Sequence, residues 1–127
     1  LLIVNQLEAK MLLGKEYASF DYFDALKKLQ NLGPKEVIIT LGADGYMGIC
    51  RDGEIFSKPG IKVDVLSTHG AGDSFVGTLA AFICKGEHIS VAAQYAQASS
   101  ALHVKTPIDQ REKIKEVDIE NMFLLNQ

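Results

Sequence analysis

"STHGAGDSF", residues 67–75, places two glycines around an alanine, follows them with a carboxylate, and runs straight into an apolar helix. A strand, then "GAG", then a helix start leaves backbone N–H groups without intrahelical partners at the positive end of the helix dipole. Such a helix start is an anion site. Gly70 and Gly72 let a bulky phosphate approach the main chain, and Ala71 adds little obstruction. The same spacing also suits a plain tight turn with Asp73 as a helix-start acid, so the stretch must be weighed with the rest of the chain. It is not a Rossmann fingerprint, because Phe75 stands where G-x-G-x-x-G needs its third glycine. Nor is "LGKE" at 13–16 a Walker A loop, since it lacks the upstream glycine and the hydroxyl.

Outward from this loop, the hydrophobic period alternates between strand and helix. "LLIV" (1–4) is an apolar run of the parallel, buried type, and Asn5 can cap a helix over 6–13 that Gly14 ends. Ser19 opens a second helix with Phe23, Leu26 and Leu29 on one face and Gly33-Pro34 as its stop. "EVIITL" (36–41) is the next core strand. "GADG" turns into "YMGIC", "RDGE" turns into "IFSKP", and "IKVDVL" (61–66) reads as a further strand. The Asp-Gly pairs supply the positive φ values that short hairpins need. After the glycine loop the pattern predicts helices over 73–85, closed by Gly86, then 89–103 and 108–117. Helices around buried strands with a hairpin insertion define an α/β layered domain.

Bulk properties narrow the function. The 127 residues make one domain at most, and 13 basic against 16 acidic side chains offer no basic patch for nucleic acid. No helix pairs an apolar stripe with lysines, and no segment reaches the roughly 18 apolar residues of a membrane span. Cys50 and Cys84 have no metal spacing and are too few for a disulfide framework, which fits a soluble chain in a reducing cytosol. The chain opens without Met inside an apolar strand, from which we expect residues upstream of Leu1.

Two further stretches sit at the ends of core strands. "NQLE", Asn5 to Glu8, reads as a capping-box variant, yet the same amide and carboxylate could hold a hydrated magnesium ion beside phosphate. "TLGADG", Thr40 to Gly45, reads as a hairpin turn. Thr40 and Gly42 also lie at the carboxyl end of a strand, the edge where open α/β sheets collect ligands.

Taken in order, N-x-x-E, T-L-G-x-x-G and "GAGDSFVGTLA" resemble the C-terminal half of the ribokinase-like (PfkB-type) carbohydrate kinase family, over essentially all of residues 1–127. The resemblance implies a layered helix/sheet/helix ribokinase-like fold and a nucleotide-binding portion whose N-terminal substrate and lid half is absent. It implies transfer of the γ-phosphoryl group of ATP to a hydroxyl of a sugar-like small molecule, with magnesium and without nucleic acid or membrane. It also allows a homodimer of the full-length protein.

Residue by residue, Asn5 and Glu8 match the family's magnesium and phosphate motif. Thr40, Gly42 and Gly45 match its nucleotide loop, and Gln97 a polar residue lining the adenine pocket. Gly70, Ala71 and Gly72 match the anion hole, and Asp73 the catalytic base. Ser67, Thr68 and His69 depart from the usual acidic residue and two threonines, which removes a charge that helps hold an activating monovalent cation. Dependence on potassium is therefore expected to be weak. His69 is also similar to related vitamin kinases acting on pyridoxal or hydroxymethylpyrimidine, and "HVKTPID" lacks a glycine-containing segment that many members carry. A vitamin kinase of the same superfamily and a non-catalytic nucleotide-binding module are the alternatives.

Overall fold

Leu2–Asn5 (β1) pairs in parallel with Val37–Thr40 (β2), in a register that sets Leu2 opposite Val37 and Asn5 opposite Thr40. This is a computed structural model, which describes residues 1–14 and 21–127. Those residues form two units, Leu1–Gly60 and Ile61–Gln127.

In the first unit, β2 is followed by a hairpin to Tyr46–Ile49 (β3) and a second hairpin to Ile55–Lys58 (β4), both antiparallel. The result is a mixed four-stranded sheet in the order β1-β2-β3-β4. Val37, Ile38 and Ile39 are all fully buried, as a continuous apolar run requires when both strand faces are covered. Asp-Gly spacing placed both hairpins correctly, but only the glycines carry the positive φ, Gly45 at 101° and Gly53 at 91°. Asp52 instead accepts a hydrogen bond from the Glu54 N–H at 2.9 Å, closing the second turn as an Asx turn.

Helix α1 covers Gln6–Leu13, ended by Gly14 at φ 88°, within the expected bounds. Helix α2 covers Tyr22–Asn31, and Asp21 caps it by accepting from the Phe23 N–H at 3.0 Å. The expected cap, Ser19, lies outside the described residues. The buried face of α2 is Ala25, Leu26 and Leu29, while Phe23 is 56% exposed. The 23/26/29 spacing repeats every third residue and drifts off one face of a helix with 3.6 residues per turn. Leu26 and Leu29 pack with Val4, Ala9, Val37, Ile39 and Ile49, each large side chain contributing about 1.5–3 kcal/mol by leaving water.

The second unit is helical. Helix α3 covers Ala71–Cys84 and α4 covers Ile89–Lys105, joined by a turn at Gly86. Phe75, Leu79 and Phe82 of α3 and Ala92, Ala93 and Ala96 of α4 are buried, the small alanines allowing close helix approach. Helix α5, Glu116–Leu125, was not foreseen. Residues 108–117 were expected to be a helix, but Ile108–Lys113 form a 3-10 turn and the α-helix starts later. Stacking holds α5: the Tyr95 ring lies 4.0 Å from that of Phe82 and 4.1 Å from that of Phe123, nearly parallel to both. Lys85 lies over the Phe82 ring and pairs with Glu116. "IKVDVL" is a second correction. Residues 61–66 form no strand, having no ladder partner among the described residues, and Leu66 N–H bonds singly to Val104 O at 2.8 Å.

Candidate active site

Helix α3 begins without a side-chain cap. Gly70 holds the N-cap position in the left-handed region, at φ 78° and ψ 3°, which favours glycine. Ala71 N–H is used by Thr68 O at 3.1 Å, and the helix ladder opens with Ser74 N–H to Gly70 O at 3.0 Å. The N–H groups of Gly70, Gly72 and Asp73 have no acceptor among the described residues, as expected of a first helical turn. Gly70 and Gly72 owe their bareness to different things. A Cβ on Gly70 would meet His103, whereas one on Gly72, which is exposed and helical, would meet nothing within 4 Å. Packing among the described residues does not demand a glycine at 72.

Asp73 is the third residue of its helix. At that position of α1, Glu8 folds back so that its Oε1 accepts the N–H of the cap residue Asn5 at 2.9 Å. In α5, Asp118 does the same to the Lys115 N–H at 2.8 Å. Asp73 makes no such bond: its carboxylate is exposed and has no hydrogen-bond partner among the described residues. The turn is fixed instead from α4, where Ser100 Oγ donates to Ala71 O at 2.7 Å and the Ser74 and Ser99 hydroxyls meet at 2.9 Å. Gln97 lies on the same α4, half-buried, three residues before Ser100.

In the other unit, the parallel pair brings Asn5 and Thr40 side by side at the carboxyl ends of β1 and β2. Asn5 and Glu8 form the complete capping box, with Asn5 Oδ1 accepting from Glu8 N at 2.8 Å. Glu8 keeps its second carboxylate oxygen unengaged among the described residues, so the box leaves an exposed oxygen ligand of the kind a hydrated magnesium takes. Gly42 starts the 3-10 turn Gly42–Asp44 at φ 59° with open space around it. Gly45 is different. It is buried, and a Cβ there would lie 2.0 Å from Lys58 O, so its own chain accounts for the glycine.

Sequence reading passed over Arg111. Its Nε donates to Thr106 O at 3.0 Å, and its two terminal nitrogens donate to His69 O at 2.9 Å and Ser67 O at 3.0 Å. Ser67 also accepts the His69 N–H on its hydroxyl at 3.2 Å.

Residues 1–114 match the family model described as pfkB family carbohydrate kinase, and the chain belongs to that family. It is 36% identical over 101 residues to 1-phosphofructokinase of Escherichia coli, a match spanning 79% of this chain and 32% of that protein. It is 28% identical over 103 residues to deoxyribokinase of Salmonella typhi, spanning 80% of this chain and 33% of that one. The solved ribokinase of Thermotoga maritima superposes with a TM-score of 0.81 at 26% identity, over 98% of this chain and 42% of that chain. A structure of a putative ribokinase II from E. coli in complex with ATP and Mg2+ gives a TM-score of 0.81 at 26% identity, covering 98% and 39%. The ribokinase-like α/β fold is thereby established. The chain spans about a third of the length of these curated relatives.

Proposed function

We propose that residues 1–127 are the nucleotide-binding C-terminal portion of a cytoplasmic carbohydrate kinase that moves the γ-phosphoryl group of ATP to a hydroxyl of a sugar or related small molecule. One observation carries the reading: Asp73 stands in the uncapped first turn of α3 without folding back onto the free amides beside it. A carboxylate held only for helix stability would be expected to cap, as Glu8 and Asp118 do.

Phosphoryl transfer asks a protein mainly for positioning and for neutralisation of spreading negative charge. The Gly70, Gly72 and Asp73 amides, with the α3 dipole behind them, would face the transferring group at no cost in reorganisation. Asp73 would accept the hydroxyl proton. A carboxylate is a weak base toward an alcohol, but late in a loose transition state the alcohol proton is acidic enough to be taken. Glu8 and Asn5 would hold hydrated magnesium, which when bound neutralises phosphate charge. Thr40, Gly42, Gly45 and Gln97 would line the nucleotide site. Potassium dependence would be weak, since Ser67 brings no charge and the Arg111 guanidinium already serves the Ser67 and His69 carbonyls.

The full-length protein tests this. ADP release in Mg-ATP should appear with one member of a panel of sugars, sugar phosphates and nucleosides. Light scattering of the same sample reads the expected homodimer. ATP binding without ADP release from any acceptor would overturn the kinase in favour of a non-catalytic module.

A further inference from the structure

We infer that Arg111 is a positioning residue for the anion-binding turn, an assignment that rests on the phosphotransfer reading for its catalytic part. The guanidinium satisfies three main-chain carbonyls, Ser67 and His69 before the turn and Thr106 just after α4. A trans peptide is planar, with its C=O and N–H pointing in opposite directions. Fixing Ser67 O on Arg111 therefore aims the Thr68 N–H away from the guanidinium. Fixing His69 O does the same for the Gly70 N–H, one of the three unpaired amides of the turn. His103 joins from α4, its Nε2 lying 3.0 Å from His69 O and 3.2 Å from an Arg111 nitrogen. That ring also occupies the space next to Gly70.

The loop has little else to hold it. Its other ties among the described residues are the bonds of Leu66 N–H and Ser67 N–H to Val104 O, at 2.8 and 3.3 Å, and the short-range bonds from His69 N–H to the Ser67 hydroxyl and from Ala71 N–H to Thr68 O. Thr68 and His69 are exposed, so no apolar packing sets the direction of their peptides. Arg111 is half-buried, where a bond from a charged donor is stronger than one between neutral groups. A planar fork can serve several carbonyls at once in fixed geometry, and a lysine cannot.

Arg111→Ala and Arg111→Lys in the full-length protein test the assignment by steady-state kinetics, melting temperature and amide hydrogen exchange. Misaimed donors weaken binding of the transition state more than that of ATP. In Arg111→Ala, kcat is therefore expected to fall about 10- to 100-fold while KM for ATP moves less than about threefold. Arg111→Lys is expected to lose at least about fivefold, since it keeps the charge without the fork. In both, the Ala71 amide, bonded to Thr68 O, should exchange about tenfold faster while the Leu79 amide in mid-α3 keeps its rate. Parental kcat and Ala71 exchange in a folded Arg111→Ala would overturn the inference. So would loss of folding in both variants, which would assign Arg111 to general stability. If the parent protein is catalytically silent, the kinase reading fails by itself, and Ala71 exchange alone decides whether Arg111 fixes the turn.

Discussion

A Cβ added to Gly70 would stand 2.9 Å from Nε2 of His103, a ring that also touches the His69 carbonyl. Two positions on, Gly72 has no neighbour for such a Cβ. The fold requires the first glycine and, among the described residues, not the second. Gly70→Ala is expected to destabilise by about 1–3 kcal/mol, from the left-handed backbone and the displaced imidazole. Gly72→Ala should hold or raise the melting temperature, because alanine is the better helix residue by about 0.5–1 kcal/mol. Under the proposed function it should nonetheless lower kcat/KM about 10²-fold by setting a methyl where phosphate would approach. Melting curves and kinetics on the two variants check the contrast. Parental kcat/KM in Gly72→Ala would remove Gly72 from the phosphate site.

Gly45 and Gly60 form the corresponding pair in the sheet unit. A Cβ on Gly45 would overlap Lys58 O at 2.0 Å, and one on Gly60 would overlap Ala43 O at 1.8 Å, both backbone atoms that cannot swing aside. The chain leaving β4 thus lies directly against the turn after β2. Either alanine variant is expected to cost about 3 kcal/mol or more, Gly45→Ala the greater because its φ of 101° is also strained. Chemical denaturation measures both. If Gly45→Ala keeps parental stability and loses only ATP affinity, the glycine belongs to the nucleotide rather than to the hairpin.

Alkaline pH should weaken this unit. Burial raises the Cys50 thiol, and the carboxylates of Asp52, Glu54 and Glu36 raise it further. Burial also raises the Tyr46 phenol well above its ordinary 10.0. A raised pKa means that the native state binds more protons than the unfolded chain once pH passes the unfolded value, so stability falls with rising pH there. The loss should begin near pH 9 for Cys50 and near pH 10 for Tyr46 and deepen toward their higher folded values. Denaturation midpoints from pH 7 to 11 test it. Cys50→Ala should flatten the first part of the decline, and an unchanged slope in that variant would acquit the thiol.

Much of this architecture is legible in the sequence where local rules and tertiary packing agree. Asn5, Glu8 and Gly14 bound α1 because cap chemistry acts within four residues, and Gly45 and Gly53 mark both hairpins through backbone freedom alone. Legibility fails where a distant partner decides. "IKVDVL" has strand composition but no ladder partner among the described residues, and a strand exists only as part of a ladder. Helix α5 depends on Phe123 stacking with Tyr95, a contact that no periodicity near 116–125 announces. Within the candidate site, the glycines and Asp73 stand out by type and spacing. Arg111 does not, since two of its three acceptors are main-chain carbonyls 42 and 44 residues away, and carbonyls have no sequence signature.

Asp73→Asn separates catalysis from helix electrostatics most directly. The change keeps size and much of the hydrogen-bonding capacity but removes the basic lone pair. Loss of a general base typically costs about 10²–10⁴ in rate, so kcat of the full-length variant should fall by that order. ATP affinity should hold, because the Gly70 and Gly72 amides and the α3 dipole are untouched. A helix-start charge, by contrast, is worth only about 0.3–1 kcal/mol at an exposed site. If that were the whole role of Asp73, the variant would melt slightly lower and turn over almost normally. The exposed carboxylate makes no bond back to its own helix, so little stability is expected to be lost with it. Measured on one preparation, a large fall in kcat at near-parental melting temperature assigns Asp73 to proton transfer. A kcat within a few-fold of the parent would leave the anion turn without its base.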